Sequence, residues 1–271
     1  GIGAGHEVIV PAISWISTSE AVSSIGARPI FVDVDQHNLM DLDLVESAIT
    51  ERTKAIIPVH LYGNPVDMER LMAIASKHNL KVLEDCAQSH GATSHGKLAG
   101  TFGHASSYSF YPGKNLGAYG DAGGMATNDD SIAKVARAIA NHGQEGKHNH
   151  IMEGRNSRMD GIQAAVLSVK LPHLNDWTDK RIANAALYEK YLSSSIEKPK
   201  VNVLGKHVYH LYVIRHEKRD ALAAYLKENG IETAIHYPTP LPLMPCYTNN
   251  PSEEAAKFPV AAKAATQILS L

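Results

Sequence analysis

Short apolar, β-branched runs alternate with polar, helix-forming stretches through the first ninety residues. The runs are VIVPAI (8–13), PIFVDV (29–34), AIIPVH (55–60) and KVLEDC (81–86). One helix opens near Ser17 and Thr18 and closes at Gly26. A second is capped by Asp41 and reaches about Thr50. A third is capped by Asp67 and ends at Lys77, with Met68, Leu71, Met72 and Ala75 on one face. This alternation predicts an α/β fold: a mostly parallel sheet with helices on both faces. Such sheets take ligands at the carboxyl ends of their strands, so polar residues at those ends are the first candidates for chemistry.

Two shorter strands follow, SSYSFY (106–111) and GGMATN (123–128), on either side of a glycine-rich loop. Helices are expected over 130–141, 160–171 and 176–194. HVYHLYVIR (207–215) reads as a strand, 219–230 as a helix ending at Gly230, and IETAIHY (231–237) as another strand. Proline and glycine punctuation places a boundary near 195–206, giving a large domain over 1–200 and a small C-terminal α/β domain over 201–271. A length of 271 residues suits one large and one small domain.

Composition removes several classes. A formal net charge of −2 leaves no basic footprint for nucleic acid. No apolar run approaches a membrane span, and no signal peptide is visible. Cys86 and Cys246 are too few for a disulfide framework and read as reduced thiols of a cytoplasmic protein. His148 and His150 have no carboxylate or cysteine at ligand spacing, so no metal site is expected.

Two places hold candidate chemistry. In EDCAQSHGA (84–92), Glu84 and Asp85 close a strand. Each reads either as a turn-capping carboxylate or as a carboxylate held at the ligand end of the sheet. In SFYPGKNLGAYGDAGG (109–124), Lys114 is the only lysine among small and aromatic residues. It either hydrogen-bonds loop carbonyls or is a poorly solvated amine, whose lowered pKa makes it a nucleophile toward carbonyls. The loop is not a phosphate-binding P-loop, because Asn115 stands where Ser or Thr is needed. A strand-end aspartate with a loop lysine is the pair that pyridoxal phosphate requires: one holds the pyridine nitrogen, the other the aldehyde.

Seven ordered segments carry a resemblance across nearly the whole chain: SWISTSEA (14–21), GARPIFVDVD (26–35), AIIPVHLYGNP (55–65), the two stretches above, RNSRMDGIQAAVLSVKL (155–171) and HYPTPLP (236–242). Together they resemble the DegT/DnrJ/StrS family of pyridoxal-phosphate-dependent nucleotide-sugar aminotransferases. The resemblance implies fold type I, the aspartate-aminotransferase-like fold, and a homodimer with shared active sites. It also implies pyridoxal 5'-phosphate as cofactor.

Carried over residue by residue, Lys114 matches the Schiff-base lysine and Asp85 the partner of the pyridine nitrogen. Gln88 matches the residue near the cofactor's phenolic oxygen, and Ser109 a hydroxyl that donates to its phosphate. Trp15 stands where the family places a ring against the pyridine face, a buried core tryptophan being the other reading. Asn156 matches an asparagine that reaches the phosphate of the neighbouring subunit's cofactor, and Arg158 a structural residue at that interface. His236 and Tyr237 are expected near the sugar, and His60 either near the site or packed beneath it. Arg155 and Lys147 either contact a diphosphate or belong to a solvated loop.

The family carries a further phosphate-cradling segment before the point matching Gly1 and a further element after the point matching Leu271. The chain reads either as a fragment of a longer product or as a short relative with a weakened phosphate site, the fragment being favoured because both ends fall within expected elements. The implied reaction is amino transfer from glutamate to a nucleoside-diphosphate-linked keto sugar, with 3-keto favoured over 4-keto, in amino-sugar and surface-polysaccharide biosynthesis. Two rivals keep the fold: a sugar dehydratase, which has histidine in place of the lysine, and a non-catalytic truncated relative. A generic α/β binding protein is a third.

Overall fold

The computed structural model describes residues 1–201 and 204–271. Its strands are β1 (Glu7–Pro11), β2 (Arg28–Val32), β3 (Thr53–Ile56), β4 (Lys81–Asp85), the hairpin β5 (Thr93–Ser94) and β6 (Lys97–Leu98), β7 (Ala105–Ser109) and β8 (Gly123–Ala126). Six of these form the main sheet in the order β2-β1-β3-β4-β7-β8, parallel throughout except for β8. The first connecting helices are α1 (Ser17–Ser24), α2 (Leu42–Val45) and α3 (Met68–Lys77).

β1 is buried along its whole length because both faces of the sheet are covered. Ile9 points into a core with Ile56, Val82, Met68, Leu71 and Ala75, while Val8 and Val10 pack with Val22 and Ala55 on the other side. Period-two alternation along one strand feeds two cores, which is why the run lacks polar residues. The expected mostly parallel α/β architecture is present. Asp67 caps α3 by accepting from the Arg70 N–H at 3.2 Å.

Beyond the sheet come α4 (Asp130–Ala140), α5 (Gly161–Lys170) and α6 (Leu174–Tyr191), followed by β9 (Gly205–Lys206), β10 (Val213–Arg215), α7 (Arg219–Glu228), α8 (Pro251–Ala255), α9 (Pro259–Gln267) and β11 (Ile268–Ser270). β10 and β11 pair antiparallel. Residues 202 and 203, inside the expected boundary region, lie outside the described residues.

Two expected strands are corrected. Of 207–215 only Val213–Arg215 is strand; Tyr209 has φ +45°, which breaks the extended run. The freed backbone groups find other partners: Val208 N–H donates to Gly63 O at 3.0 Å, and Arg181 Nη1 donates to Tyr209 O at 3.1 Å. The 231–237 run forms no strand, only an isolated bridge between Ala234 and Ser270. The element that does pair with β10 is β11.

Val213, Phe258, Ala261, Ala264 and Ile268 join the same core as Ile9 and Leu71. One carboxylate anchors this packing. Asp33, buried just after β2, accepts from Ala261 N–H at 2.9 Å with Oδ1 and from Val260 N–H at 2.9 Å with Oδ2. It thus caps the first turn of α9 from 227 residues away in sequence, where the helix dipole favours negative charge. Asp33→Ala is expected to cost about 2 kcal/mol of stability. The check is the urea midpoint, which falls at unchanged slope.

Candidate active site

A cleft of about 780 Å³ opens at the carboxyl ends of the central strands, where the α/β topology predicts a ligand. Trp15, Asp85, Gln88, Ser109, Lys114, His236 and Tyr237 all line it. Asn156 does not. It is exposed, in an isolated bridge with Asn141, although Ser157 and Arg158 beside it do line the cleft.

Strand alternation separates the two carboxylates that the sequence left open. Asp85 turns into the cleft, and Glu84 turns the other way into the protein. Glu84 Oε1 accepts from Phe102 N–H at 2.8 Å and Gly103 N–H at 2.7 Å; Oε2 accepts from Gly100 N–H at 2.7 Å. His60 Nε2 lies 3.1 Å from Oε2, and His60 Nδ1 accepts from Val66 N–H at 3.1 Å. The Nε2 proton is therefore the one donated to Glu84. Burial raises the Glu84 pKa, but hydrogen bonds and charge from His60 and the backbone donors outweigh it, leaving the carboxyl below its ordinary value. His60, Glu84 and Cys86 each bring a metal-ligand type of atom within 4.8 Å of the others. With four donors on Glu84 and an N–H on His60 Nδ1, that cluster is a hydrogen-bonded knot under the sheet. His60 is packed there, outside the cleft lining.

Asp85 is held by the first of the resemblance segments. Thr18 Oγ1 donates to Asp85 Oδ2 at 2.9 Å, which leaves Ser14 Oγ, 2.8 Å away, to donate to Thr18. Ala87 N–H donates to Asp85 Oδ1 at 3.0 Å. Neither Ser14 nor Thr18 was singled out for the site from sequence; two hydroxyls flanking Trp15 at the entry to α1 were the available signal. Trp15, between them, is 59% exposed, which excludes the core reading. Its ring lies 5.7 Å from that of Tyr237.

Lys114 sits in a turn, its N–H donating to Tyr111 O at 2.8 Å. No hydrogen bond or salt bridge to its Nζ occurs among the described residues. Burial lowers its pKa and the Asp85 charge raises it, with a net result below the usual lysine value. Three imidazoles stand around it. Burial and then the lysine charge push His90 down to about 4, and the same causes in the same order push His210 down to about 3; His236 is lowered likewise. Neutral rings add no positive charge beside the amine.

The lysine loop is gripped from two sides. Leu116 and Ala118 pack on Leu167 of α5. Tyr119 N–H donates to Gln163 Oε1 at 2.9 Å, and Lys170 Nζ donates to Gly117 O at 2.5 Å. A Cβ at Gly117 would lie 2.4 Å from Pro112 O, so only glycine closes this turn. On the other side Asn115 Nδ2 donates to Val208 O at 3.3 Å, and its Oδ1 accepts from His210 Nδ1 at 3.0 Å. The residue that ruled out a P-loop is thus the anchor of the loop.

A search with family models matches residues 1–271 to the DegT/DnrJ/EryC1/StrS aminotransferase family. The chain belongs to this aminotransferase family. A protein named pleiotropic regulatory protein from Geobacillus stearothermophilus is 48% identical, over 100% of this chain and 74% of its own length. UDP-2-acetamido-2-deoxy-3-oxo-D-glucuronate aminotransferase of Pseudomonas aeruginosa is 44% identical, over 100% of this chain and 75% of its own. Among solved structures, Streptomyces venezuelae DesV superposes with a TM-score of 0.94 at 43% identity, over 100% of this chain and 74% of that one. The PLP-form of Spr1654 from Streptococcus pneumoniae gives 0.90 at 28% identity, covering 100% and 76%. The fold expected from the resemblance, that of the type I aminotransferases, is the fold of this family member.

The cleft fits pyridoxal phosphate. It offers a lysine amine without a partner, a carboxylate on the floor, an amide, a serine hydroxyl and an open aromatic flank. The Gln88 amide uses one N–H on Tyr237, at 3.1 Å, and keeps the second. Among the described residues no helix is long and apolar enough to cross a membrane.

Proposed function

We propose that this family member transfers an amino group from glutamate to a nucleoside-diphosphate-linked keto sugar, the 3-keto form being favoured, in amino-sugar and polysaccharide biosynthesis. The observation that carries the reading is the convergence of Lys114 and Asp85 on one cleft with Gln88, Ser109 and Trp15. The relative that acts on a 3-oxo sugar nucleotide supports the keto position.

Bound pyridoxal phosphate supplies an electrophilic carbonyl and an electron-withdrawing ring. The remaining work falls to the chain. Lys114 Nζ would hold the cofactor, and the freed amine would take the proton from the α-carbon of glutamate and return one to the acceptor carbon. Asp85, steadied by Thr18 and Ala87, would hold the proton on the ring nitrogen. Gln88 Nε2 would donate to the phenolic oxygen and Ser109 Oγ to the phosphate, and Trp15 would flank the ring. One water is consumed as glutamate gives up its amino group and leaves as 2-oxoglutarate, and one is released as the acceptor's keto oxygen is replaced by that amino group, so the exchange balances.

His236 and Tyr237 contact the sugar. Asn156 reaches the phosphate of the neighbouring subunit in a homodimer with shared sites, and Arg158 supports that interface. The division into domains 1–200 and 201–271 belongs to the same reading, as does a cytoplasmic setting, in keeping with two free cysteines. Lys114 argues against the dehydratase rival, and the meeting of Asp85, Gln88, Ser109 and Lys114 in one cleft argues against the non-catalytic one.

Borohydride treatment after loading with pyridoxal phosphate is expected to fix the cofactor on Lys114, located by peptide mass mapping. Glutamate is expected to abolish the visible band of the lysine-bound form. A panel of dTDP- and UDP-linked 3-keto and 4-keto sugars, each tested for recovery of that band, identifies the acceptor. An adduct elsewhere, or none, overturns the reading.

A further inference from the structure

Tyr62 joins Gln88 to the His236–Tyr237 segment. It is buried in a tight turn over Leu61–Gly63, with φ +60° and ψ 2°. A bulky residue in that region is uncommon and costs on the order of 1–3 kcal/mol, so its surroundings must hold it there. Its backbone N–H donates to Gln88 Oε1 at 2.6 Å, and its hydroxyl donates to the His236 carbonyl. Gln88 Nε2 donates onward to the Tyr237 hydroxyl at 3.1 Å. The contacts close a ring: Tyr62 N–H, Gln88 amide, Tyr237 hydroxyl, the 236–237 peptide and the Tyr62 hydroxyl.

The first contact decides the polarity of the amide. With Oε1 held against that N–H, the NH₂ end of Gln88 is the one turned to Tyr237 and the cleft. The turn has no room to relax. Gly63 follows at φ +94°, and a Cβ there would lie 2.8 Å from Val208 Cγ2 and 3.1 Å from Gln88 O.

We infer that Tyr62 is a positioning residue that sets Gln88 as a hydrogen-bond donor toward the cofactor's phenolic oxygen and ties that donor to the substrate side of the cleft through Tyr237. The inference rests on the pyridoxal-phosphate reading above. Besides Tyr237, the ionisable groups facing this ring of contacts are Asp85, Lys114, His210, Arg215 and His236, and Tyr62→Phe leaves all of them in place.

The test is a pH titration of the visible band of the cofactor-loaded protein. Tyr62→Phe keeps the backbone N–H on Gln88 Oε1 but removes the hydroxyl that fixes the 236–237 peptide, so the Tyr237 hydroxyl no longer holds Gln88 Nε2 in place. A weaker donor leaves the phenolic oxygen more basic, so the adjoining nitrogen keeps its proton to higher pH. The midpoint is expected to rise by about one unit. Tyr237→Phe cuts the same ring elsewhere and is expected to give a rise of similar size, with the double variant no higher than either single. Unshifted midpoints, or additive shifts, overturn the inference. If Tyr62→Phe does not fold, Tyr237→Phe decides alone, and an unshifted midpoint is then fatal. No visible band in the unmodified protein sinks the cofactor reading and this inference with it; a normal band with unshifted variants sinks this inference only.

Discussion

Lys114→Ala is expected to lower amino transfer by at least about 10⁴-fold, because in the proposed function one side chain serves both covalent attachment and proton transfer. Such an effect is distinguishable from misfolding. The turn around Lys114 is held by the Lys114 N–H on Tyr111 O, by Asn115 and by packing on Leu167, and none of these uses the lysine side chain. The ammonium is partly desolvated, and burial is the main cause of its lowered pKa. Its loss therefore leaves the thermal midpoint of the unloaded protein unchanged or higher. Lys114→Arg keeps a positive charge but cannot make the covalent link, and falls as far. The measurement is single-turnover absorbance with glutamate. A variant within tenfold of the unmodified protein would remove Lys114 from the chemistry.

Glu84→Gln is expected to destabilise the fold by about 3 kcal/mol, although it preserves shape and alters one atom. Each oxygen of Glu84 is surrounded by donors: two N–H groups on Oε1, a third with His60 Nε2 on Oε2. His60 cannot switch tautomer to help, because Val66 N–H already occupies Nδ1. Whichever way the glutamine amide is placed, its NH₂ meets donors, and one side of the knot is left unpaired.

The pH dependence has a definite sign. The folded-state pKa of Glu84 lies below its unfolded value, near 4.5. Its contribution to stability is complete above that unfolded value and disappears as pH falls through the lower folded value. The gap between unmodified protein and variant, read from urea midpoints, should therefore be widest near neutrality and narrow in acid. A gap independent of pH would contradict the ionised knot.

The sheet strands were legible because each is a short apolar run bounded by turn residues, and burial on both faces leaves no polar interruption to confuse the pattern. The helix caps Asp41 and Asp67 were equally plain. The C-terminal third was less so. Residues 207–212 carry the β-branched and aromatic composition of a strand, yet spend their hydrogen bonds on Gly63, Tyr62 and Arg181, partners far away in sequence. Tertiary contacts overrode local preference there.

The cleft divides in the same way. Lys114 and Asp85 stood out because a lone amine and a strand-end carboxylate have few uses. Ser14, Thr18, Gln163 and Tyr62 did not, because hydroxyls, amides and tyrosines serve everywhere, and only their three-dimensional partners distinguish them. Glu84 and Asp85 were adjacent in sequence and open to the same two readings. The pleat of β4 separated them, one to each side of the sheet.

Residues 207–212 run along the Lys114 loop, bound at once to the turn at Gly63, to Asn115 and to Arg181 of α6. The C-terminal part of this chain is consequently not an exchangeable cassette. A chimera joined anywhere from 207 to 212 would bring a foreign neighbour to a native loop, whereas a graft that carries Gly63, Asn115 and Arg181 along with the segment keeps the segment and the loop matched.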